Sequence, residues 1–222
     1  MKTEIIKIDA KRPSTDILKK AAAIIKKGGL VAFPTETVYG LGADYMNKKA
    51  IQRLHEVKKR PKDKPFTIHI SDIESLYELS CNISIFAKHL IERFWPGPLT
   101  LILPTASGEK IGVRMPRNEI ALKFISACGA PIVAPSANIS GNRPPNNARE
   151  VLKDLDGKID LLLDAGETEV GIESTVVDVS TTPHNVLREG AISKDQIAGV
   201  RNRLQHIHLS QSEMQYFISR GF

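Results

Sequence analysis

The sequence predicts an α/β fold, a single domain with helices over a largely buried sheet. Three observations carry that expectation. Strand-like and helix-like patterns alternate from end to end, as α/β architectures require. Several strand candidates are continuous apolar runs, the pattern of strands covered on both faces. No repeat, low-complexity segment or linker divides the 222 residues, a length that suits one domain with a substantial core.

Ile5, Ile6 and Ile8 mark a short first strand. Ser14 can cap a helix running to about Lys27, with Ile17, Leu18, Ala21, Ile24 and Ile25 at helical spacing and Gly28-Gly29 closing it. Residues 30–33 are an apolar strand stopped by Pro34, and Tyr39-Gly40-Leu41-Gly42 reads as a glycine-rich loop. Residues 48–59 place Ile51, Leu54, His55 and Lys58 at helical spacing, and 66–70 read as a strand. Ser71-Asp72-Ile73-Glu74 has capping-box spacing and begins the next helix, followed by another over 83–93. Strands are expected at 99–103 and 111–113. Asn118 then caps a helix through Ala127 that Gly129 closes. Residues 131–135 form a short buried strand leading into Ser136-Ala137-Asn138. A helix near 147–154 precedes strands at 159–163, 174–179 and 186–188, and Ser193 with Gln196 caps the last clear helix. The domain thus covers 1–200. Residues 201–222, weakly patterned and basic, are left as a C-terminal tail or docking helix.

Hydrophobic residues at 41% and charged residues at 25% are ordinary for a soluble globular protein. The first residues carry charge without an apolar stretch, and no apolar run approaches the ~18 residues of a membrane span. A cytoplasmic protein with no signal peptide and no membrane contact is expected. Cys81 and Cys128 lie far apart, too few for a four-thiolate zinc site or a disulfide framework, and read as small buried apolar residues. The net charge of +6 points to a polyanionic partner, a nucleotide or RNA. Residues 58–64 alone contribute a net +4.

The common nucleotide signatures GxxxxGK[ST] and GxGxxG are absent, as are HExxH and GxSxG. Four segments instead set polar residues at strand ends, where open α/β sheets hold ligands. Pro34 to Gly42 offers hydroxyls and glycine amides, although Thr35 or Thr37 capping a helix start explains it equally well. Lys58 to Pro65 is either a solvated charged face or, stiffened by Pro61 and Pro65, a clamp for a triphosphate. Val133 to Gly141 fits a binding turn or one whose Ser and Asn satisfy their own backbone. Gly171 to Asp178, Val186 to Gly190 and Val113 to Pro116 add arginines just past apolar strands, a position also common for plain surface charges.

Taken in order, PTETVYGLG, KKRP, the strand from Lys64-Pro65 to His69, VRMP, PSANISG, GIESTVVD and LREG resemble the YrdC-like family of threonylcarbamoyl-AMP synthases. The likeness runs from about residue 5 to residue 197. It implies a single domain whose twisted mixed sheet curves around a deep, positively charged groove, in the short form without an additional C-terminal domain. It implies that Lys58 and Arg60 are catalytic and hold ATP phosphates, and that Lys64, Asn138 and Arg188 also bind nucleotide. Thr35, His69, Arg114, Ser136 and Ser174 would bind threonine and its carbamate. The chain departs from the family after PSANISG, where Asn142-Arg143-Pro144-Pro145 replaces the usual Ser or Thr after a proline, at a nucleotide contact expected near Pro144.

The implied reaction joins L-threonine, bicarbonate and ATP into threonylcarbamoyl-AMP and pyrophosphate for N6-threonylcarbamoyladenosine in tRNA. Mg2+ would arrive with ATP, and no protein metal site is implied. Partner proteins would transfer the group to tRNA, with direct tRNA contact by this chain left open. The rival reading is an RNA-binding module using the basic groove without adenylate chemistry, against which only 5% of residues are aromatic. A related domain of the hydrogenase-maturation carbamoyltransferase is disfavoured by the two cysteines, because that protein carries cysteine-rich zinc fingers. A divergent paralogue with a changed substrate is the fourth reading, disfavoured by the intact PTETVYGLG and PSANISG.

Overall fold

The computed structural model describes residues 2–79 and 83–206; Cys81 and the stretch 207–222 lie outside the described residues. The order of elements is β1 (Glu4–Lys7), α1 (Thr15–Lys26), β2 (Val31–Phe33), β3 (Gly40–Asp44), α2 (Lys48–Lys58), β4 (Ile68–His69), α3 (Glu74–Leu79), α4 (Ile85–Phe94), β5 (Leu99–Pro104) and β6 (Lys110–Arg114). Then follow α5 (Glu119–Cys128), β7 (Ile132–Val133), α6 (Ala148–Leu155), β8 (Leu161–Asp164), β9 (Thr175–Asp178), β10 (Asn185–Arg188) and α7 (Lys194–His206). All the strands join one sheet in the order β1-β8-β2-β3-β7-β4-β6-β5-β9-β10. It is mixed. Pairs such as β1–β8, β2–β8, β4–β6 and β5–β9 run parallel, whereas β3 is antiparallel to both β2 and β7.

Side chains alternate across a strand, so each strand divides its residues between the two faces. Val31, Phe33, Leu161 and Leu163 pack on one face with α1 and α5, while Ala32 and Leu162 join the larger core on the other. Continuous apolar runs are what two covered faces demand, which is why these strands were legible as such. Farther along the sheet the coverage changes. Ile68, Leu99, Leu101 and Val113 still enter the large core. His69, however, pairs with Ile132, and Ile132 belongs to the α1–α5 face. Helices α1 and α5 cover that face at one end of the sheet and leave it open over β4, β6 and β5. The open stretch becomes the cavity described below.

Several local expectations are corrected. Tyr39 to Gly42 is not a loop, because Gly40 to Asp44 forms β3 at the middle of the sheet. Its glycines make room for a ring: a Cβ at Gly42 would stand 3.2 Å from both Phe33 and Ile132, and one at Gly40 3.3 Å from Phe33. No helix starts at Thr35 or Thr37, and the capping interpretation of that segment falls with it. Ser14 occupies the N-cap of α1 without a side-chain cap bond. At α3 the cap is Asp72, whose carboxylate accepts from the Ser75 N–H at 2.8 Å, rather than Ser71. Asn118 and Gly129 cap α5 as expected, and Ser193 and Gln196 form a reciprocal capping box at α7. Cys128 is buried in the α1–α5 core, where desolvation pushes its thiol up to about 12. No helix among the described residues is long and apolar enough to cross a membrane.

Candidate functional site

A cavity of about 280 Å³ opens on the uncovered sheet face, at the lower edge of the range usual for small-molecule sites. Nine of the ten side chains singled out by the sequence line it: Thr35, Lys58, Arg60, His69, Arg114, Ser136, Asn138, Ser174 and Arg188. Segments as far apart in the chain as Thr35 and Arg188 therefore meet at one place. Thr35 and Ser136 sit just beyond the carboxyl ends of β2 and β7, as expected of α/β ligand sites. The remainder is different. His69 and Arg114 project from the face of the sheet, so the site is a face rather than an edge.

The charge run divides between its two readings. Lys62, Lys64 and Lys59 are exposed, whereas Lys58 is 2% exposed and Arg60 half-buried. The backbone explains the split. Lys59 is left-handed, with φ 51°, and that reversal at the C-cap of α2 turns its neighbours inward. The Lys58 ammonium donates to Ser136 O at 2.5 Å, Asn138 O at 2.7 Å and Asn138 Oδ1 at 3.3 Å. An ammonium has three protons, so all are committed. A ligand oxygen gains one only by displacing the long bond to Asn138. Burial, with a smaller push from Arg60, lowers the Lys58 pKa to about 8. Arg60 is held by the Lys64 and Pro65 carbonyls, both at 3.1 Å, and lies over the Phe66 ring. Lys64 is the exception among the ten. Its side chain is exposed off the cavity wall, and it reaches the site only through that carbonyl.

Arg114 is 5% exposed and pinned at two corners. Its Nε donates to Gly97 O at 3.2 Å and its Nη2 to Thr37 Oγ1 at 2.9 Å. The fully buried Glu36 carboxylate stands 2.8 Å from the same Nη2. Attraction across this contact offsets part of the cost of burying the guanidinium. Nη1 has no protein acceptor among the described residues and stays available to a ligand. Thr35 Oγ1 donates to Val38 O at 2.6 Å and accepts from the Thr37 and Val38 amides. Its hydroxyl proton is thereby spent on the turn that holds Thr37 against Arg114. His69 is 3% exposed, and burial with the nearby Arg114 charge lowers its pKa to about 3. It is a neutral imidazole at physiological pH, with Nδ1 buried and unpartnered.

Opposite, Arg188 donates to Ser174 O through Nε at 3.1 Å and Nη2 at 2.9 Å, and its Nη1 meets Glu173 at 2.8 Å. This clasp requires Gly190, where a Cβ would lie 2.2 Å from Glu173 O. Thus two of the four cations already have carboxylate partners, leaving Lys58 and Arg60 without one in contact among the described residues. Glu173, the acid on the cavity wall, is engaged by Arg188, and no group of three metal-ligating side chains occurs among the described residues.

Some residues of the wall, and of the layer directly behind it, escaped sequence reasoning. Thr100 hydrogen-bonds Ser174 Oγ at 2.9 Å and is the lone polar residue in Leu99-Thr100-Leu101-Ile102-Leu103. That interruption of an apolar strand was the available signal. Glu36 and Thr37 lay inside a recognised motif, but nothing local linked them to Arg114, 77 residues away from Thr37. Pro144 does line the cavity.

Comparison with known proteins places this geometry among relatives. A threonylcarbamoyl-AMP synthase of Pyrococcus abyssi is 47% identical over 192 residues, covering 82% of this chain and 56% of that protein. One of Bacillus subtilis is 45% identical over 193 residues with the same coverage, so the chain spans about half the length of these curated relatives. The crystal structure of P. abyssi Sua5 complexed with L-threonine superposes with a TM-score of 0.86 at 45% identity, covering 89% of this chain and 61% of that one. Residues 23–190, a span that takes in every cavity residue named above, match the family described as Telomere recombination, and the chain belongs to this Sua5_yciO_yrdC family.

Proposed function

We propose that this cavity binds L-threonine, bicarbonate and ATP with its Mg2+ and forms L-threonylcarbamoyladenylate and pyrophosphate, for transfer by partner proteins to a tRNA adenosine. One observation supports this reading above all: nine side chains from separated segments, four of them cationic, line a single cavity on the open sheet face. The threonine amine condenses with bicarbonate, losing water and giving a carbamate. A carbamate oxygen then attacks the α-phosphorus of ATP, the bond from that phosphorus to the bridging oxygen breaks, and pyrophosphate leaves. No protein nucleophile is needed. The demand on the protein is to align two anions and to offset charge on the departing pyrophosphate. Arg114 Nη1 would take the threonine carboxylate, while Lys58, Arg60 and Arg188 would face the phosphates. Mg2+ travels on the triphosphate and needs no all-protein cage.

The direct test mixes purified protein with ATP, magnesium, bicarbonate and threonine. Threonine-dependent pyrophosphate and a threonine-containing adenylate are expected, with serine and water as controls. If ATP and threonine give neither product, the proposal fails.

Two consequences can be checked alongside. Thr35→Ala breaks the turn that holds Thr37 against Arg114, and should weaken threonine binding by about tenfold with ATP binding little changed. Calorimetric titration showing full threonine affinity would contradict the assignment. The second is pH dependence. Lys58 titrates near 8 in the folded chain and loses its charge above that, so activity at low ATP should decline as pH rises through about 8. Saturating ATP should move the decline upward, because phosphate favours the charged form. For stability the sign is the reverse. The lowered pKa makes the buried charge a cost at and below pH 8, relieved between there and the ordinary value of 10.5. A flat activity profile across that range would exclude the ammonium from the rate.

A further inference from the structure

Asp154 lies on α6 and does not line the cavity. Its carboxylate nevertheless holds the loop that does. One oxygen accepts from the Ile139 N–H at 2.8 Å, and the Asn142 amide donates to both oxygens at 2.9 Å. Within the loop, the Asn138 side-chain amide donates to Asn142 O at 2.7 Å, leaving Asn138 Oδ1 and the Asn138 carbonyl facing Lys58. The Ser140 N–H returns to Lys58 O at 2.8 Å. A single carboxylate thus closes a ring of hydrogen bonds around the buried ammonium. One turn earlier on the same helix, Glu150 accepts from the Asn146 N–H at 2.8 Å and fixes the far end of the segment. Residues four apart share a helix face, so α6 presents an acidic ridge to this loop.

We infer that Asp154 is a positioning residue for the nucleotide side of the site, acting through Asn142 and Ile139 on Asn138 and Lys58. The inference rests on the proposed adenylate chemistry and adds a residue that no strand-end motif contains. Without this carboxylate the Ile139 amide loses its acceptor and the Asn142 side chain its anchor, so Asn138 is free to drift from Lys58. A displacement of about 1 Å in such a group is enough to cost a reaction on the order of a hundredfold in rate. Among the described residues Arg114 and the Thr35–Val38 turn share no hydrogen bond with Asp154; Ser136, whose hydroxyl donates to Asn138 Oδ1 at 2.7 Å, is the link between the threonine side and this ring, so that side should be largely spared.

The test compares the parent with Asp154→Ala and Asp154→Asn, using pyrophosphate release for kinetics and calorimetry with a non-hydrolysable ATP analogue and with threonine. Asp154→Ala should lower kcat/KM for ATP and the analogue's affinity by at least about tenfold, with threonine affinity within about twofold. Asp154→Asn keeps an oxygen for the Ile139 N–H and should recover part of the loss; it also carries the comparison if the alanine variant does not fold. Parent-like nucleotide affinity in the variants overturns the inference. Equal losses for the analogue and threonine overturn it too, by revealing a general structural role. A parent that binds the analogue but releases no pyrophosphate defeats the proposed activity alone, and the calorimetry still decides what Asp154 does.

Discussion

Lys58→Ala should reduce adenylate formation by about a hundredfold, with Arg60→Ala losing at least about tenfold, while both proteins remain folded. The two losses have different origins. Lys58 carries a buried charge and also ties Ser136 and Asn138 together through its three hydrogen bonds. Its removal takes both the field at the phosphates and the shape of the wall. Arg60 is half-buried and held by the Lys64 and Pro65 carbonyls and the Phe66 ring of its own segment, so its truncation removes mainly charge and unties no distant part of the wall. Lys58→Met, which keeps the apolar stem, separates field from filling and should resemble Lys58→Ala if charge is the main contribution. Threonine-dependent pyrophosphate release is the measurement. Near-normal rates in both alanine variants would remove these cations from the mechanism.

The largest expected loss of stability is at Glu36→Ala. Arg114 and Glu36 are both buried, their contact is 2.8 Å, and among the described residues no other carboxylate touches the guanidinium. Truncating one member of such a pair strands the other in a region of low polarizability, which costs about 3–5 kcal/mol. That is a large fraction of the ~5–15 kcal/mol that holds a domain folded. Urea denaturation should show a clear drop in midpoint with an unchanged slope. Glu36→Gln keeps the shape without the charge and should fall between the parent and the alanine variant. An alanine variant with the parent's midpoint would mean that Arg114 has compensation beyond Glu36.

Much of this architecture was written in local pattern. Helices α1 and α2 were visible from the spacing of apolar residues, and α5 from Asn118 and Gly129 at its ends. Strand β2 showed as an unbroken apolar run because both sheet faces are covered there. Strand β3 was misread for a specific reason. Glycine has low strand propensity, and only the ring of Phe33 across the pair explains why two glycines belong in a central strand. Family likeness supplied the candidate side chains, and nine of ten do line the cavity, while Lys64 faces solvent.

By itself the sequence determined most of the segments that become helices and strands, β3 excepted, and which polar residues stand at their ends, because capping, spacing and apolar periodicity act within a few residues of one another. Only the tertiary structure decided which sheet face is left open, that Glu36 faces Arg114, that Lys58 is buried while Lys59 and Lys62 are not, and that Asp154 anchors a loop it does not belong to. Those are contacts between residues far apart in the chain. Their energies depend on distance and burial in space, and spacing along the sequence carries neither.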